Sequence, residues 1–298
     1  MNTPNPVDIQ NLSRAYGARA ALNDISLQVA TGTVFGLVGE NGAGKTTLLK
    51  HLLGLLRAQQ GTVRVFGHDP VAHPVEVLSR IGYVAESRDL PGWMRVSELL
   101  RYLEPFYSTW DSQFAEELRR RFELDPESRI RNLSRGQLAK ASLIAALAHR
   151  PQLLVLDEPS SGLDPIVRRD ILEAIIRTVS HEGRTVIFSS HLLDEVERVS
   201  DRVAFLHAGK LVLNGPLDEL KLRHHRIVLR FQQALERAPL LQGALSVSGR
   251  GVEWTIICDG AREQLHASAK SLGAEVVSEE TPSLDEIFVA RTKPQEVR

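Results

Sequence analysis

Apolar and polar residues alternate along the first thirty positions, a period typical of strands with one buried face. The alternation is clearest in segments 7–12 and 25–29, and the tyrosine, glycine and alanine at 16–18 between them have turn character. These positions predict an antiparallel sheet at the N-terminus.

Longer apolar runs and helical spacings follow. A continuous apolar strand is predicted at 34–38, and leucines spaced three and four apart predict a helix at 45–56. The region 87–150 is predicted to be a helical subdomain. The other predicted elements are strands at 153–156, 185–189, 202–207 and 211–213 and a helix at 165–179. This alternation of strands and helices predicts an α/β fold with a parallel sheet.

The pattern changes near residue 222, which predicts one domain at 1–222 and an accessory α+β domain at 223–298. Strand and helix patterns follow one another in the second domain in the order β-α-β-β-α-β, with a short helix at the end. The order predicts a small ferredoxin-like domain. His224 and His225 at its start are predicted to form a solvated hinge.

The charge balance of the chain excludes one class of partner. The 298 residues carry 36 Lys and Arg against 37 Asp and Glu, a formal net charge of −1. Because proteins that bind nucleic acids usually have more basic than acidic residues, no nucleic-acid partner is expected.

Apolar segments and cysteine usage bear on location. No apolar run reaches the roughly 18 to 20 residues that a transmembrane helix needs, and the N-terminus lacks the pattern of a secretory signal. The single cysteine, Cys258, lies in an apolar segment typical of a buried strand, which suits a reducing compartment. A cytoplasmic location is expected, with any role at a membrane supplied by a partner.

A glycine-rich loop joins the strand at 34–38 to the helix that follows it. Gly39, Gly44, Lys45 and Thr46 fit the pattern G-x-x-x-x-G-K-[ST], in which backbone N–H groups surround phosphate oxygens, the lysine reaches the β and γ phosphates and the hydroxyl binds Mg²⁺. The loop therefore predicts a site for a nucleoside triphosphate with Mg²⁺. The predicted nucleotide-binding residues of the loop are Gly39, Glu40, Asn41, Gly42, Ala43, Gly44, Lys45, Thr46 and Thr47.

Two adjacent carboxylates end the apolar strand at 153–156. Carboxylates at the end of a parallel strand point into the ligand crevice, so Asp157 is predicted to hold Mg²⁺ and Glu158 to orient or deprotonate an attacking water. An apolar strand that simply meets its loop has the same pattern. The pairing with Lys45 gives the prediction its weight.

The segment Leu133-Ser-Arg-Gly-Gln137, about 20 residues before Asp157, resembles the signature of ATP-binding-cassette (ABC) ATPases. The resemblance covers residues 6 to 215 and includes the family's motifs in order. It implies a P-loop NTPase cassette with a RecA-like core. Arg135 replaces a glycine of the usual LSGGQ, while Ser134 and Gly136 are retained.

The resemblance implies that Ser134, Gly136 and Gln137 contact ATP held by a second ATP-binding subunit. Ser134 can equally be an ordinary helix cap. Asp164 resembles the residue that crosses the dimer interface, and it can also cap the next helix.

Two further residues match positions of the family pattern. Tyr16 resembles the aromatic residue that stacks on adenine, although it can also be a turn tyrosine. His191 resembles the switch histidine that bonds the γ-phosphate, whereas a lone histidine after a strand is more often structural.

One position departs from the family. Glu86 stands where the family normally has a glutamine that touches Mg²⁺ and water, and a carboxylate can still bind the ion. The resemblance implies that residues 86–98 receive transmembrane permease subunits. Pro91, Trp93 and Met94 in this segment fit an exposed apolar socket, with a core loop as the alternative.

These features predict the ATPase subunit of a membrane transporter that is peripheral on the inner face of the cell membrane. The segment 281–289 resembles the tail of ATPases of bacterial ABC-2-type exporters and favours export. The alternative is a soluble non-transport ABC ATPase with a regulatory or remodelling role. A module that only holds ATP is disfavoured by the presence of Glu158 and His191.

Overall fold

A computed structural model describes residues 5–292 of the chain. The chain divides into two compact units at the bond between Leu211 and Val212, eleven residues before the predicted boundary at 222. The difference arises because the helix Leu217–Arg223 packs against the first strand of the second unit.

The bounds of the elements agree with most of the pattern-based assignments. The strands are β1 (Val7–Tyr16), β2 (Arg19–Val29), β3 (Val34–Val38), β4 (Gln60–Val65), β5 (Ile81–Val84), β6 (Leu153–Asp157), β7 (Thr185–Ser190), β8 (Arg202–His207), β9 (Lys210–Pro216), β10 (His224–Leu235), β11 (Ala244–Asp259) and β12 (Ala274–Glu280). The helices are α1 (Lys45–Leu52), α2 (Pro74–Leu78), α3 (Val96–Leu103), α4 (Ser112–Arg121), α5 (Arg135–Leu147), α6 (Pro165–Glu182), α7 (Leu193–Val199), α8 (Leu217–Arg223), α9 (Arg262–Ser271) and α10 (Leu284–Thr292). Short 3₁₀ turns occupy Glu104–Phe106 and Ile130–Asn132.

The N-terminal alternation forms the predicted antiparallel sheet, in the order β2-β1-β4. Val7 pairs with Val29, and Ile9 with Leu27, so the apolar positions of both strands lie on one buried face. Helix α1 ends earlier than predicted, at Leu52, because Gly54 takes a left-handed conformation (φ 69°).

A six-stranded sheet has the order β5-β6-β7-β3-β8-β9, and its strands from β5 to β8 form the core of the first unit. The strands from β5 to β8 run parallel, and β3, β6 and β7 are buried at every position. Parallel strands bring their carboxyl ends to one edge of the sheet. The segments that follow β3, β5, β6 and β7 therefore meet there.

The predicted helical region between β5 and β6 contains α3, α4 and α5. Met94 is buried with Val96, Leu99 and Ile130, so the core alternative holds for this methionine. Trp93 next to it is 68% exposed.

The second unit is α+β, but the ferredoxin-like order predicted for it is incomplete. Its sheet has the order β11-β10-β12, and β11 folds back on itself: the Asp259 N–H donates to the Gly243 carbonyl and the Ser248 hydroxyl to the Thr255 carbonyl. The two arms of β11 match two predicted strands. The helix predicted before them is wrong, because β10 extends to Leu235 and Pro239 lies in the short connection to the first arm.

The histidine pair at the start of β10 is not a solvated hinge. His224 is fully buried, and its Nδ1 lies 2.6 Å from the carbonyl oxygen of Leu220. The Nδ1 of His225 lies 3.0 Å from Oε1 of Glu279. Both side chains are held by the second unit, since α8 and β12 flank β10.

No helix among the described residues is long and apolar enough to cross a membrane.

Candidate functional site

The loop after β3 is packed so tightly that two of its glycines cannot be replaced. A Cβ on Gly39 would lie 2.3 Å from the carbonyl oxygen of Leu206. A Cβ on Gly44, whose φ is 112°, would lie 2.4 Å from the carbonyl oxygen of Ala21. These close contacts hold both ends of the loop in place. Gly44 is the N-cap of α1, so the loop ends at the N-terminus of this helix, where free backbone N–H groups favour the binding of phosphate.

Lys45 is buried at the base of this loop. Its Nζ donates to the carbonyl of Gly39 at 2.6 Å and to that of Glu40 at 3.3 Å, and it lies 3.0 Å from Oε1 of Glu158. The amine is thus held where the loop meets the carboxylate that ends β6.

Glu158 occupies a strained position at the end of β6. Its φ is 49°, a left-handed conformation that is uncommon outside glycine, and its side chain is 5% exposed. The Glu158 N–H donates to the hydroxyl of Ser189 at 2.9 Å, and this hydroxyl donates to Asp157 Oδ1 at 2.7 Å. Ser189 on β7 therefore fixes both Asp157, the last residue of β6, and Glu158, which follows it.

His191 completes the group. Its Nδ1 lies 2.8 Å from Oε2 of Glu158, and its side chain is 37% exposed. Glu158 is consequently held between a lysine on one oxygen and a histidine on the other. This arrangement can orient a carboxylate toward a reacting group at the mouth of the loop.

A cleft of about 440 Å³ lies over the loop. The residues that line it are Tyr16, Arg19, Ala21, Asn41, Gly42, Gly44, Lys45, Thr46, Thr47, Glu86 and Glu158. The remaining loop residues do not line the cleft: Gly39 and Ala43 are buried, and Glu40 is exposed and accepts from Lys45 through its carbonyl. The cleft brings together residues from β1, β2, the glycine-rich loop, α1, the segment after β5 and the residue that follows β6.

Tyr16 lies at the rim of the cleft and is 49% exposed. The guanidinium of Arg14 lies 4.9 Å from the centre of its ring, so a cation covers this ring. Arg19, which pairs with Tyr16 across the β1–β2 turn, donates to the carbonyl of Gly42 at 3.4 Å. The sequence patterns did not predict that Arg19 lines the cleft. The only hint in the sequence is that a basic residue lies close to the turn tyrosine.

The acidic end of β6 also affects a neighbouring phenol. Burial, together with the negative charge of Asp157, raises the pKa of Tyr83 to about 12. Asp157 itself is 1% exposed. It lies behind the residues that line the cleft.

The signature segment forms a helix cap. The Ser134 hydroxyl accepts from the Gln137 N–H at 3.2 Å, and the Gln137 side chain accepts from the Ser134 N–H at 2.9 Å. Gly136 is buried where a Cβ would lie 2.8 Å from Val167. Asp164 accepts from the Ile166 and Val167 N–H groups and caps α6.

The side chains of Ser134, Gln137 and Asp164 are exposed and lie outside the lining of the cleft. The chain therefore presents two polar surfaces, one built around Lys45 and Glu158 and one built from helix caps.

Comparisons with known proteins identify the family of the chain. Residues 22–161 match the family model described as ABC transporter. The chain is 30% identical to the ABC transporter ATP-binding protein YtrB of Bacillus subtilis, over 96% of this chain and 97% of YtrB. The chain belongs to the ABC transporter ATP-binding proteins. It is accordingly an ATP hydrolase, and the family resemblance of the sequence is confirmed.

Two further members of the ABC family resemble the chain. One is the Nod factor export ATP-binding protein I of Rhizobium leguminosarum bv. viciae, 30% identical over 97% of this chain and 96% of the relative. The other is a solved ATP-binding subunit of an ABC transporter, which is 29% identical, has a TM-score of 0.66 and covers 72% of this chain and 91% of that structure. The α/β cassette fold predicted from the sequence is thereby confirmed.

The ABC cassette contains a buried arginine that sequence analysis missed. Arg88 is 8% exposed, and its Nη2 donates to the carbonyls of Pro159 at 2.8 Å and Ser161 at 3.0 Å. A basic residue two positions after Glu86 was the only signal in the sequence.

Proposed function

We propose that this chain is the ATPase subunit of a membrane exporter, which binds and hydrolyses MgATP at sites shared by two ATP-binding subunits. The observation that carries the proposal is the position of Glu158, held by Lys45 and His191 beneath a cleft that contains the phosphate loop. The name of the Nod factor export relative supports the direction of transport.

Within the cleft, Lys45 contacts the β and γ phosphates and Tyr16 stacks on adenine. The half-exposed ring of Tyr16 at the rim supports this role. Glu158 is the general base for the attacking water, and His191 orients it through the contact at 2.8 Å. A base held on both oxygens keeps a fixed direction, which lowers the entropy lost on reaching the transition state.

Magnesium fits the residues of the cleft. Thr46 and Glu86 line it, and the Asp157 carboxylate is fixed by Ser189 directly behind Glu158. No group of three or more His, Cys, Asp or Glu side chains suited to a metal occurs in the described part of the chain. This donor set suits Mg²⁺, which takes most of its ligands from phosphates and water. The ion would neutralise charge on the triphosphate, with Thr46, Asp157 and Glu86 as its protein contacts.

The second polar surface serves the partner ATPase. Ser134, Gln137 and Asp164 would meet ATP bound by the other subunit through their exposed side chains, which lie outside the cleft of their own chain. Gly136 is buried and would take part only through its backbone N–H at the start of α5. The N-terminus of α5 provides backbone N–H groups for the γ-phosphate, and the hydroxyl of Ser134 adds one more donor.

The permease would dock beside the segment 86–98. A groove of about 490 Å³ lies there, between β5 and the helical region, and its lining is largely apolar. Its lining includes Leu90, Leu103 and Tyr107, and the exposed Trp93 belongs to the same segment. Apolar surface of this kind suits a short amphipathic helix of a membrane subunit and would hold the chain on the inner face of the membrane.

Affinity purification of the tagged chain from detergent-solubilised membranes of its own host tests the proposal. The wild-type chain is expected to retain a polytopic membrane protein through purification, and the Trp93→Glu variant is expected to lose it. Leu240→Glu is the matched control, since Leu240 is 78% exposed in the second unit. Normal ATP turnover with no membrane protein retained by the wild-type chain would favour the soluble, non-transport alternative.

A further inference from the structure

Arg88 connects two segments that border the site. Its buried guanidinium reaches the carbonyls of Pro159 and Ser161, which belong to the loop between Glu158 and Asp164. Arg88 itself belongs to the segment after β5 and lies two residues from Glu86. The side chain thus joins the Glu86 segment to the backbone that carries the catalytic carboxylate.

The position of Arg88 is costly. Its φ is 51°, in the left-handed region. Burial lowers the pKa of its guanidinium. The nearby Glu86 carboxylate raises this pKa, and the positive charge of Arg135 lowers it further. Its Nε is buried without a hydrogen-bond partner among the described residues. A buried cation with an unsatisfied donor destabilises the folded protein, and the carbonyls of Pro159 and Ser161 are the contacts that hold this one in place.

The loop that Arg88 holds has little freedom. The Ser161 N–H donates to the Glu158 carbonyl at 3.1 Å, and the Ser160 hydroxyl donates to Glu195 at 2.5 Å. The Pro159 carbonyl is one residue from Glu158, whose left-handed conformation needs support from its surroundings. A displacement of Arg88 would therefore be passed to the backbone of Glu158.

Arg88 also lines the groove of about 490 Å³ described above, beside Ala85, Ser87 and Leu90. One side chain consequently touches both the groove and the loop after Glu158. We propose that Arg88 is a positioning residue, which sets the orientation of Glu158 according to the position of the segment 86–98. This inference rests on the proposed function, since it assumes that Glu158 is the base and that a membrane subunit occupies the groove.

Steady-state ATP hydrolysis by the full chain tests the inference. Arg88→Met is expected to lower kcat by about 10- to 100-fold, because small displacements of a catalytic group have effects of this size, while KM for ATP stays within about twofold. Arg88→Lys keeps one donor and is expected to recover part of the rate. Arg80→Met is the control, since Arg80 bonds the Gln152 side chain and contacts neither loop. Its kcat should equal that of the wild type.

A double-mutant comparison separates positioning from general loss of structure. If Arg88 acts through Glu158, Arg88→Met should change the residual single-turnover rate by less than about twofold in a Glu158→Gln background. An equal loss in both backgrounds, an unchanged kcat in the single variants, or a loss confined to KM would overturn the inference. Failure of the proposed function is distinct, because it would leave Glu158→Gln itself with normal turnover.

Discussion

The two polar surfaces of the first unit differ in how their side chains are held. In the cleft, Lys45 and Glu158 are nearly inaccessible to solvent and are paired with each other, and His191 contacts the same carboxylate. On the second polar surface, which we call the signature surface, Ser134 and Asp164 are exposed. Their side-chain hydrogen bonds within the described part of the chain go to the first turns of α5 and α6.

The difference follows from what burial demands. A buried charge needs a partner within the fold, so the cleft is assembled before any ligand arrives. An exposed cap is satisfied by its own helix and by water, and it can exchange water for a phosphate of another subunit. In the proposed function, the cleft is the preorganised half of a site and the surface formed by the caps Ser134 and Asp164 is the half offered to a partner.

The largest expected effect tests the buried half. Glu158→Gln should lower ATP turnover by about 10²- to 10⁴-fold, since the amide cannot accept the proton of the attacking water. ATP binding should persist, because Lys45 and Tyr16 are unchanged. Turnover is measured by phosphate release and the assembly state by light scattering with ATP. A closed dimer that accumulates is expected, and wild-type turnover would contradict the assignment of the base.

The exposed half is tested by Ser134→Ala. Loss of a charge-assisted hydrogen bond to a partner's γ-phosphate, worth about 1.5 to 3 kcal/mol, should reduce turnover by about tenfold or more. Ser283→Ala is the matched control, because Ser283 and Glu286 form the same reciprocal cap in the second unit. Both variants should lose about 1 kcal/mol of unfolding free energy. Equal ATP turnover in the Ser134→Ala and Ser283→Ala variants would show that Ser134 acts only as a helix cap.

His149 provides a test of how burial affects the charge state of a polar side chain. This residue follows α5, stacks on Tyr107 and donates from Nε2 to the Ile81 carbonyl, and burial lowers its pKa to about 4. Because the unfolded chain binds the proton near pH 6.5, stability should fall as the pH drops from 6.5 to 4, by about 2 to 3 kcal/mol from this group.

Urea unfolding at pH 7 and pH 4.5 measures this loss. A His149→Gln variant lacks the titrating ring. The loss of unfolding free energy between the two pH values should therefore be smaller in the variant than in the wild type, with a difference of about 2 to 3 kcal/mol. Parallel losses in the wild type and the variant would show that His149 does not titrate in this window.

The smallest effect concerns the rim of the cleft. Tyr16→Ala should weaken ATP binding by about 1 to 3 kcal/mol if the ring stacks on adenine. Tyr102→Ala is the control, since Tyr102 is similarly exposed on α3 and lies outside the cleft. Affinity is measured by titration calorimetry. Unchanged affinity in Tyr16→Ala would make this residue a turn tyrosine.

Strands and helices with strong periodicity could be predicted from the sequence, and weakly patterned segments could not. The alternation of β1 and β2 and the apolar runs of β3, β6 and β7 identified their elements directly. The helix predicted after β10 failed because short apolar spacings there fit a helix and an extended strand alike. His224 was misjudged because a polar residue beside a domain boundary gives no sign of its burial.

The sequence by itself determined the chemistry of this protein. Two local patterns carry this information: the spacing of Gly39, Gly44 and Lys45, and the adjacent carboxylates Asp157 and Glu158. Each can be recognised from its own strand, loop and helix. Only the tertiary structure decided which side chains meet. Ser189, Arg19 and Arg88 join the site through contacts between distant segments, and no local pattern carries that information. Burial made the same division, because it turned Lys45 and Glu158 into an ion pair inside the fold and left the Ser134 side chain at the surface.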